Sequence, residues 1–582
     1  MNVSSSVPLL AVVSAAALTF LGPIAPGARA SIGAPLAGQT YEAEAASTNG
    51  TLLGPTYDPY RIETESSGEK CVHLSKSGDY VEFRAVESAN TIVVRYSVPD
   101  SPNGGGLESQ LALLINGRLA TTLAVSSHQS WIYGNYPFSN HPADGKPRNF
   151  YDEVRAKGLA IAKGDLVRIA LPASAKIAVT VDLIDLENVA APLERPARAL
   201  SMADFADHGE ISADATEALR RGIAAAVKEN RPLWIPAGDY TITGDIVVPS
   251  GVKIQGAGMW HTTFVGDKTL YAKSGRRVRF KLIGDHIRLA DFAILGKLDY
   301  RNDQEPNDGI VIAGSSDSSI ERIWIEHTKV GIWVYNGVRM HVDGCRFRDT
   351  LADGINLCVG TSECVVENCS ARGTGDDCFA IWPCPSDQGF TQATKPGHNM
   401  IRHCTGQLPF LANGGAIYGG ESNRVVDCAF TDITAGCGIL VSSTFPTTDE
   451  AKQIDNNFSG ETLVENCHLL RCGGYDHDWT WRGSLQICVD HQNISGVTIR
   501  DVTIDDSFSD GVTIIAPGSA TGRGTLSASQ LKNVQVNSPG IGTPARRGLF
   551  VYANATGGLK IDHSKLDPIE NQSKTFLIDS RN

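Results

Sequence analysis

Apolar and polar positions alternate in short runs along most of the chain, the two-residue period of strands with one buried face. Between about residues 38 and 190 such runs occur at Asp79–Phe83, Thr91–Tyr96, Gln110–Ile115, Leu166–Ala170 and Ile177–Leu183, with turn residues between them. No long helical period interrupts them, which predicts an antiparallel sandwich. Two aromatic stretches, Ser130–Tyr136 and Asn149–Glu153, fall in what reads as a long strandless insertion. Exposed rings there suit sugar stacking; packing against a neighbouring domain suits them slightly better. One good helical period follows. Leu219, Ile223 and Val227 share a face behind an N-cap at Asp214 with Glu217 three residues on, and the helix should end near Asn230, before Pro232.

From residue 245 the strand pattern repeats. Cys345 to Cys369 and Cys404 to Cys428 are both 24 residues, whereas Cys369 to Cys404 is 35 and Cys428 to Cys467 is 39. A second strand set opens at Gly331, Gly354, Cys378, Gly415, Gly438 and Gly511. A period in the low twenties with β-rich units predicts a parallel β-helix, its coils stacked at about 4.8 Å and its longer steps carrying inserted loops. The expected fold is therefore all-β: a sandwich over residues 31–192, a linker marked by Pro192 and Pro196, and a right-handed parallel β-helix over 193–582. The same period makes Cys345, Cys369, Cys404, Cys428 and Cys467 a buried ladder rather than five functional thiols. The cysteine total of thirteen is odd, and no pair of CxxC motifs sits at zinc spacing. Disulfides among the others, such as Cys358 with Cys364 or Cys384, stay open.

Charge removes one class of partner. The net charge of −13 argues against nucleic acid, which needs clustered Lys and Arg. Leu9–Leu21 is almost wholly apolar, too short for a comfortable span, and ends at Ala28-Arg29-Ala30. Residues 1–30 therefore read as a cleaved secretory signal, although its first residues carry no Lys or Arg, and the mature chain is expected outside the cell and off the membrane.

The candidate chemistry lies between Asp353 and Trp382. Asp353 and Asp377 are 24 residues apart, one coil, which places them roughly 5 Å apart. Asp376 adjoins Asp377. Three carboxylates so close cannot all ionise freely, so at least one pKa rises, as an acid/base pair requires. Asp308-Gly309 and Asp510-Gly511 share the turn of Asp353-Gly354, and Asp353 alone would read as a turn residue. The weight rests on Asp376-Asp377, where Gly373-Thr-Gly375 permits a break in the strand.

An aspartate followed 23 and 24 residues later by a Gly-Asp-Asp pair, on a β-helix behind a sandwich, resembles glycoside hydrolase family 87, the bacterial α-1,3-glucanases with mycodextranases as relatives. The likeness covers most of residues 40–582. It implies a secreted, endo-acting, inverting hydrolase of α-1,3-glucan, with no cofactor for catalysis and acting as a monomer. Asp353, Asp376 and Asp377 would be catalytic, Asp376 as the acid and the other two holding the attacking water. Asn356, Trp333, Trp382 and a loop bearing Asp476, His477, Trp479 and Trp481 would bind sugar. Loops Pro383–His398 and Gly473–Gly483 would wall the groove. The helix before Leu233 resembles the cap of pectate-lyase-like β-helices. Tyr41-Glu-Ala-Glu44, the strand at Gly78–Phe83 and Val181–Leu186 resemble carbohydrate-binding modules of families 6 and 35. In those modules the matching acids, here Glu42, Glu44 and Asp182, hold a structural calcium. Rivals are an alternating α-1,3/α-1,4-glucan hydrolase, a non-catalytic β-helix glycan-binding protein, and a lyase. A polygalacturonase lacks its Gly-His-Gly and Arg-Ile-Lys motifs here, and the trio's sequence surroundings offer no Lys or Arg for a uronate or for a lyase base.

Overall fold

A computed structural model describes residues 32–581 apart from 37, 137, 207–212, 272, 274, 476–479 and 518–523. The signal-like segment 1–30 lies outside those residues. Among those described, no helix is long and apolar enough to cross a membrane.

The first unit is a sandwich of two antiparallel sheets. One runs Asp152–Ile161, Ala89–Ser97, Val179–Glu187, Cys71–Leu74, Thr51–Leu53, with Gln39–Glu42 also on Val179–Glu187. The other runs Ser47–Thr48, Tyr80–Arg84, Leu166–Ala170, Glu108–Ile115, Arg118–Ser126. Val81, Ile92, Val94, Leu113, Ile169 and Val181 fill the space between them. The expected strandless insertion is corrected. Ile132–Tyr133 pairs with Pro147–Arg148, and Asp152–Ile161 is a ten-residue strand. Its register shifts between Lys157 and Ile161, and most of it is half-exposed, so it shows no clean alternation. Phe150 and Tyr151 are buried.

The predicted helix spans Thr216–Glu229. Asp214 accepts from the Thr216 amide at 3.0 Å, and Asn230 closes the helix in the left-handed conformation. Leu219, Ile223 and Ala226 are buried and join a core that includes Leu233 and Ile235, closing the first coil. Val227 is corrected: it is half exposed, turned away from that face.

Each later coil carries three short strands, for example His341–Asp343, Arg346–Arg348 and Ile355–Leu357, then Val365–Glu367, Ser370–Arg372 and Phe379–Ile381. Stacking is parallel and in register, as in Val342 on Val366 on Ile401 on Val425. The corner after the first strand needs φ > 0. Asn368, His403, Asp427 and Asn466 supply it, residue types that tolerate the left-handed region. The cysteine after each points inward, and the five-thiol ladder is fully buried. Along the third strand Ile355, Leu357, Phe379 and Ile381 face the core. The alternate positions stack outward as Trp333, Asn356, Ala380, Ala416, Leu440 and Gln486.

The sandwich is bound to the coils by buried ions. Glu153 meets Arg372 at 2.5 Å and Arg348 at 3.8 Å, Asp185 meets Arg372 at 2.7 Å, and Arg346 forks onto Glu187 at 2.9 Å. Val93, Trp260 and Trp324 pack beside them.

Candidate active site

Asp353 immediately precedes the third-strand corner at Gly354, and Asp377 holds the same corner one coil on: the Gly354 amide donates to the Asp377 carbonyl at 3.0 Å. Gly373, at φ 69°, ends the second strand there, and a Cβ on Gly375 would lie 2.4 Å from the Leu351 carbonyl oxygen. Only glycine lets the chain pass so close. That passage turns Asp376 out of strand alternation, so adjacent aspartates share one site. One carboxylate oxygen from each of Asp353, Asp376 and Asp377 lies within 4.8 Å of the other two.

Their surroundings differ. Asp377 is buried and accepts three hydrogen bonds: from the Asn413 amide at 3.1 Å, Asn413 Nδ2 at 2.7 Å and Tyr418 Oη at 2.8 Å. Burial and the charge of Asp376 still push it up to about 7, against those donors. Burial, then the charges of Asp376 and Asp377, hold Asp353 well above the ordinary carboxylate range, with Arg301 opposing. Among the described residues its only side-chain donor is Asn356 Nδ2 at 3.5 Å. Asp376 is the open member, with 30% of its side chain exposed, and Arg301 Nη2 meets it at 2.8 Å. Arg301 is itself buried. It donates to the Gly375 carbonyl at 2.7 Å, the Leu351 carbonyl at 3.2 Å and Asp303 at 2.9 Å. Asp308 and Asp510, which share the turn of Asp353, each face a cation: Lys329 at 3.4 Å and Arg547 at 2.8 Å. The cation near Asp353 is instead spent on Asp376.

The trio lines a cavity of about 390 Å³, large enough for a small ligand. Trp333, Asn356 and Trp382 line it. Trp333 Nε1, Trp382 Nε1 and Asn356 Oδ1 are buried and without a hydrogen-bond partner, so the wall presents two donors and an acceptor. Trp481 is corrected: it pairs with Tyr475, ring centroids 5.4 Å apart, and does not line the cavity, whereas its neighbour Arg482 does. Asp476, His477 and Trp479 lie outside the described residues. The loop 383–398 supplies Asp387 and Gln388.

Other wall residues escaped the sequence. Ser442 ends the strand Ile439–Ser442, and Thr444 and Phe445 come from an insertion at 443–461, which is what the 39-residue step signalled. Arg301, Asp303 and Gln304 come from the segment between Arg288–Leu295 and Ile310–Ala313, and Tyr136 reaches over from the sandwich, 5.1 Å from the Arg301 guanidinium. The expectation that no Lys or Arg stands near the trio is also corrected. Arg301 and Lys329 both line the cavity, brought in by elements distant in sequence, and both are held by carboxylates.

The acids proposed for calcium are only partly gathered. Asp182 is fully buried, but it pairs with Arg95 at 2.5 Å and accepts from the Ser67 amide at 2.9 Å. Glu42 takes the Ser67 hydroxyl at 3.0 Å. Glu42 Oε2, Glu44 Oε2 and Glu69 Oε1 are buried without partners. Burial foremost, then neighbouring carboxylates, push Glu42 to about 8 and Glu69 to about 9. The charge of Asp182 raises both Glu42 and Glu44, but Asp182 is committed to Arg95, and among the described residues the groups gathered tightly enough to share an ion are Asp152, His327 and Asp349, and the aspartate trio.

Two family models match the chain: α-1,3-glucanase catalytic domain D1 over residues 36–189 and domain D2 over residues 212–555. The chain belongs to the α-1,3-glucanases of glycoside hydrolase family 87. It is therefore a glycoside hydrolase, and the sandwich corresponds to the first domain of the catalytic unit. The chain is similar to the crystal structure of the Agl-KA catalytic domain, at 22% identity and TM-score 0.83, over 95% of this chain and 99% of that one. It is similar to the catalytic unit of a thermostable family 87 α-1,3-glucanase of Streptomyces thermodiastaticus, at 26% identity and TM-score 0.76, over 94% and 97%. A family 87 α-1,3-glucanase catalytic domain in complex with nigerose matches at 24% identity and TM-score 0.72, over 94% and 99%. No curated protein matches.

Proposed function

We propose that this glycoside hydrolase is secreted and cuts α-1,3-linked glucan internally with inversion, using Asp353, Asp376 and Asp377. The observation that carries the reading is the carboxylate trio on the floor of a cavity whose indole and amide groups lack partners. Sugar hydroxyls and ring faces satisfy both needs. Solved structures of similar family 87 α-1,3-glucanase catalytic domains support the assignment: three aspartate-to-alanine variants there fall at positions separated by 23 and by 1. Asp353, Asp376 and Asp377 have the same separations.

Asp376, the member open to the cavity, delivers the proton to the glycosidic oxygen. The scissile bond breaks as water, held by Asp353 and Asp377, attacks the anomeric carbon from the other face and loses its proton to one of them. Burial favours the protonated form of the buried pair in the free enzyme; the cluster's one working proton passes from it to Asp376 as substrate binds, which leaves the pair ionised to accept the proton of the attacking water. We also propose a structural calcium held by Glu42 and Glu44 beside Asp182.

The test is incubation with insoluble α-1,3-glucan, reading reducing ends and product anomer by NMR. β-Anomeric oligosaccharides are expected. α-Anomers would reverse the stereochemistry, an unsaturated product would make it a lyase, and tight binding without release would leave only a glycan-binding role. In the same assay Asp376→Asn should lose about three orders of magnitude on polymer and keep far more on a substrate with a good leaving group. Equal losses on both would remove Asp376 as the acid.

A further inference from the structure

We propose that Cys358 and Cys384 form a disulfide that fixes the loop 383–398 as a wall of the substrate cavity. Their sulfurs lie 3.5 Å apart, both side chains are buried, and each thiol finds the other as its hydrogen-bond partner. The local chain path explains the approach. Leu357 stacks on Ile381, so in-register continuation would set Cys358 beside Trp382 rather than Cys384. Instead the chain bends at Pro383, the Cys384 amide donating to the Trp382 carbonyl at 2.9 Å, and Cys384 folds back across to the preceding coil.

Thiols also meet along the ladder, Cys345 with Cys369, Cys369 with Cys404, Cys404 with Cys428 and Cys428 with Cys467, but the coil spacing there keeps them from forming disulfides. The five ladder cysteines stand on stacked coils about 4.8 Å apart, beyond the 3.5–4.5 Å that Cβ atoms of a disulfide span. Each ladder sulfur also faces the carbonyl two residues back, at 3.6 Å for Cys345, 3.1 Å for Cys369 and 3.2 Å for Cys467. Cys364, the other partner left open for Cys358, is turned to the Ser362 carbonyl at 3.3 Å.

What the bond would hold is a piece of the site. Beyond Cys384 the loop makes a hairpin, Ser386–Asp387 with Phe390–Thr391. Phe390 stacks on Tyr335 at 4.2 Å, Tyr335 Oη donates to Asp387 at 2.8 Å, and Asp387 and Gln388 face the cavity. A covalent tie at the base limits how far this wall swings. Formation is a thiol–disulfide exchange with a small disulfide such as oxidised glutathione. The two cysteine thiols give up two protons and two electrons, the S–S bond forms, and the reagent leaves as two thiols. Exchange takes place before the pair is buried.

The full chain, refolded with oxidised and reduced glutathione and purified without reductant, is unfolded, alkylated and weighed. Eleven of the thirteen cysteines should be alkylated before reduction and all thirteen after it, and proteolysis should yield one linked peptide pair joining Cys358 to Cys384. Thirteen alkylated cysteines without reduction, or a linked pair elsewhere, overturns the proposal. As a second readout, Cys384→Ser should melt several degrees lower than the oxidised protein and match the reduced protein. A variant as stable as the oxidised protein also overturns it.

Discussion

Arg301 decides how the three carboxylates divide their labour. Its guanidinium joins Asp376 and Asp303 while donating to two backbone carbonyls of the trio's own coils. It therefore positions Asp376 and also biases the cluster toward losing protons. Replacing it by glutamine keeps part of the hydrogen bonding and removes the charge. With Asp376 as the acid, Arg301→Gln makes the cluster hold its working proton to higher pH. The alkaline limb of the kcat/KM profile should then move up by about one unit, with the rate down roughly tenfold to a hundredfold from lost positioning. Profiles measured on a soluble α-1,3-oligosaccharide read this directly. Movement of the acidic limb alone would place Asp376 among the water-holding groups instead. The contrast with Asp308 and Asp510 fits the same logic. On their rungs the turn aspartate has its own cation, although burial still raises Asp308 against Lys329. Asp353 lacks one, and burial with the charges of Asp376 and Asp377 raises it well above the ordinary carboxylate range.

Among the elements, the strand Asp152–Ile161 matters most for the site, because it carries Glu153 against Arg372 and Arg348 between sandwich and coils. Breaking a buried ion pair leaves a charge without a partner, at a cost of about 3–5 kcal/mol. Glu153→Gln should therefore lower the denaturant midpoint markedly. It should also weaken activity, because Tyr136, which faces Arg301, hangs from the same domain. Loss of stability within a few tenths of a kcal/mol would show the junction to be loosely coupled. This strand also marks where the sequence stops being legible. Coils were readable because each contributes the same inward residues to a one-dimensional stack, so that Cys345, Cys369 and Cys404 carry the period and Asp353 and Asp377 fall on one rung without any knowledge of loops. Nothing in that period reports on Tyr136, Arg301 or Phe445. They arrive from a sandwich loop and two insertions whose paths depend on tertiary packing, and Arg301 reaches Asp376 across 75 residues of chain. The edge strand itself escaped because an irregular register and half-exposed faces erase alternation. Val227 went the other way: it has the helical period but sits at the rim of the buried face.

Across the whole molecule the buried acids set a pH dependence of folding. Burial raises Glu42 to about 8, Glu69 to about 9, Glu65 and Asp377 to about 7, and Glu44 to about 6. Unfolded, all return to the ordinary carboxylate range. Between that range and the folded values the native state binds more protons than the unfolded chain, so the stability these groups contribute is present at low pH and is lost as pH rises through the folded pKa values. Tm should accordingly fall between pH 5 and 8.5. A cation at Glu42 and Glu44 changes the upper end of this window, because it replaces the protons those groups lose. Calcium in millimolar excess should raise Tm at pH 8.5 and do little at pH 5, where protons already occupy the site. The paired substitution Glu42→Gln with Glu44→Gln should reduce the pH slope and abolish the calcium response together, since these neighbouring carboxylates carry both. Scanning calorimetry of wild type and variant at the two pH values, with calcium and with chelator, checks the expectation. A Tm that climbs from pH 5 to 8.5 without calcium would contradict the protonated-cluster account. An equal calcium response at both pH values, or one that survives the double substitution, would move the cation elsewhere.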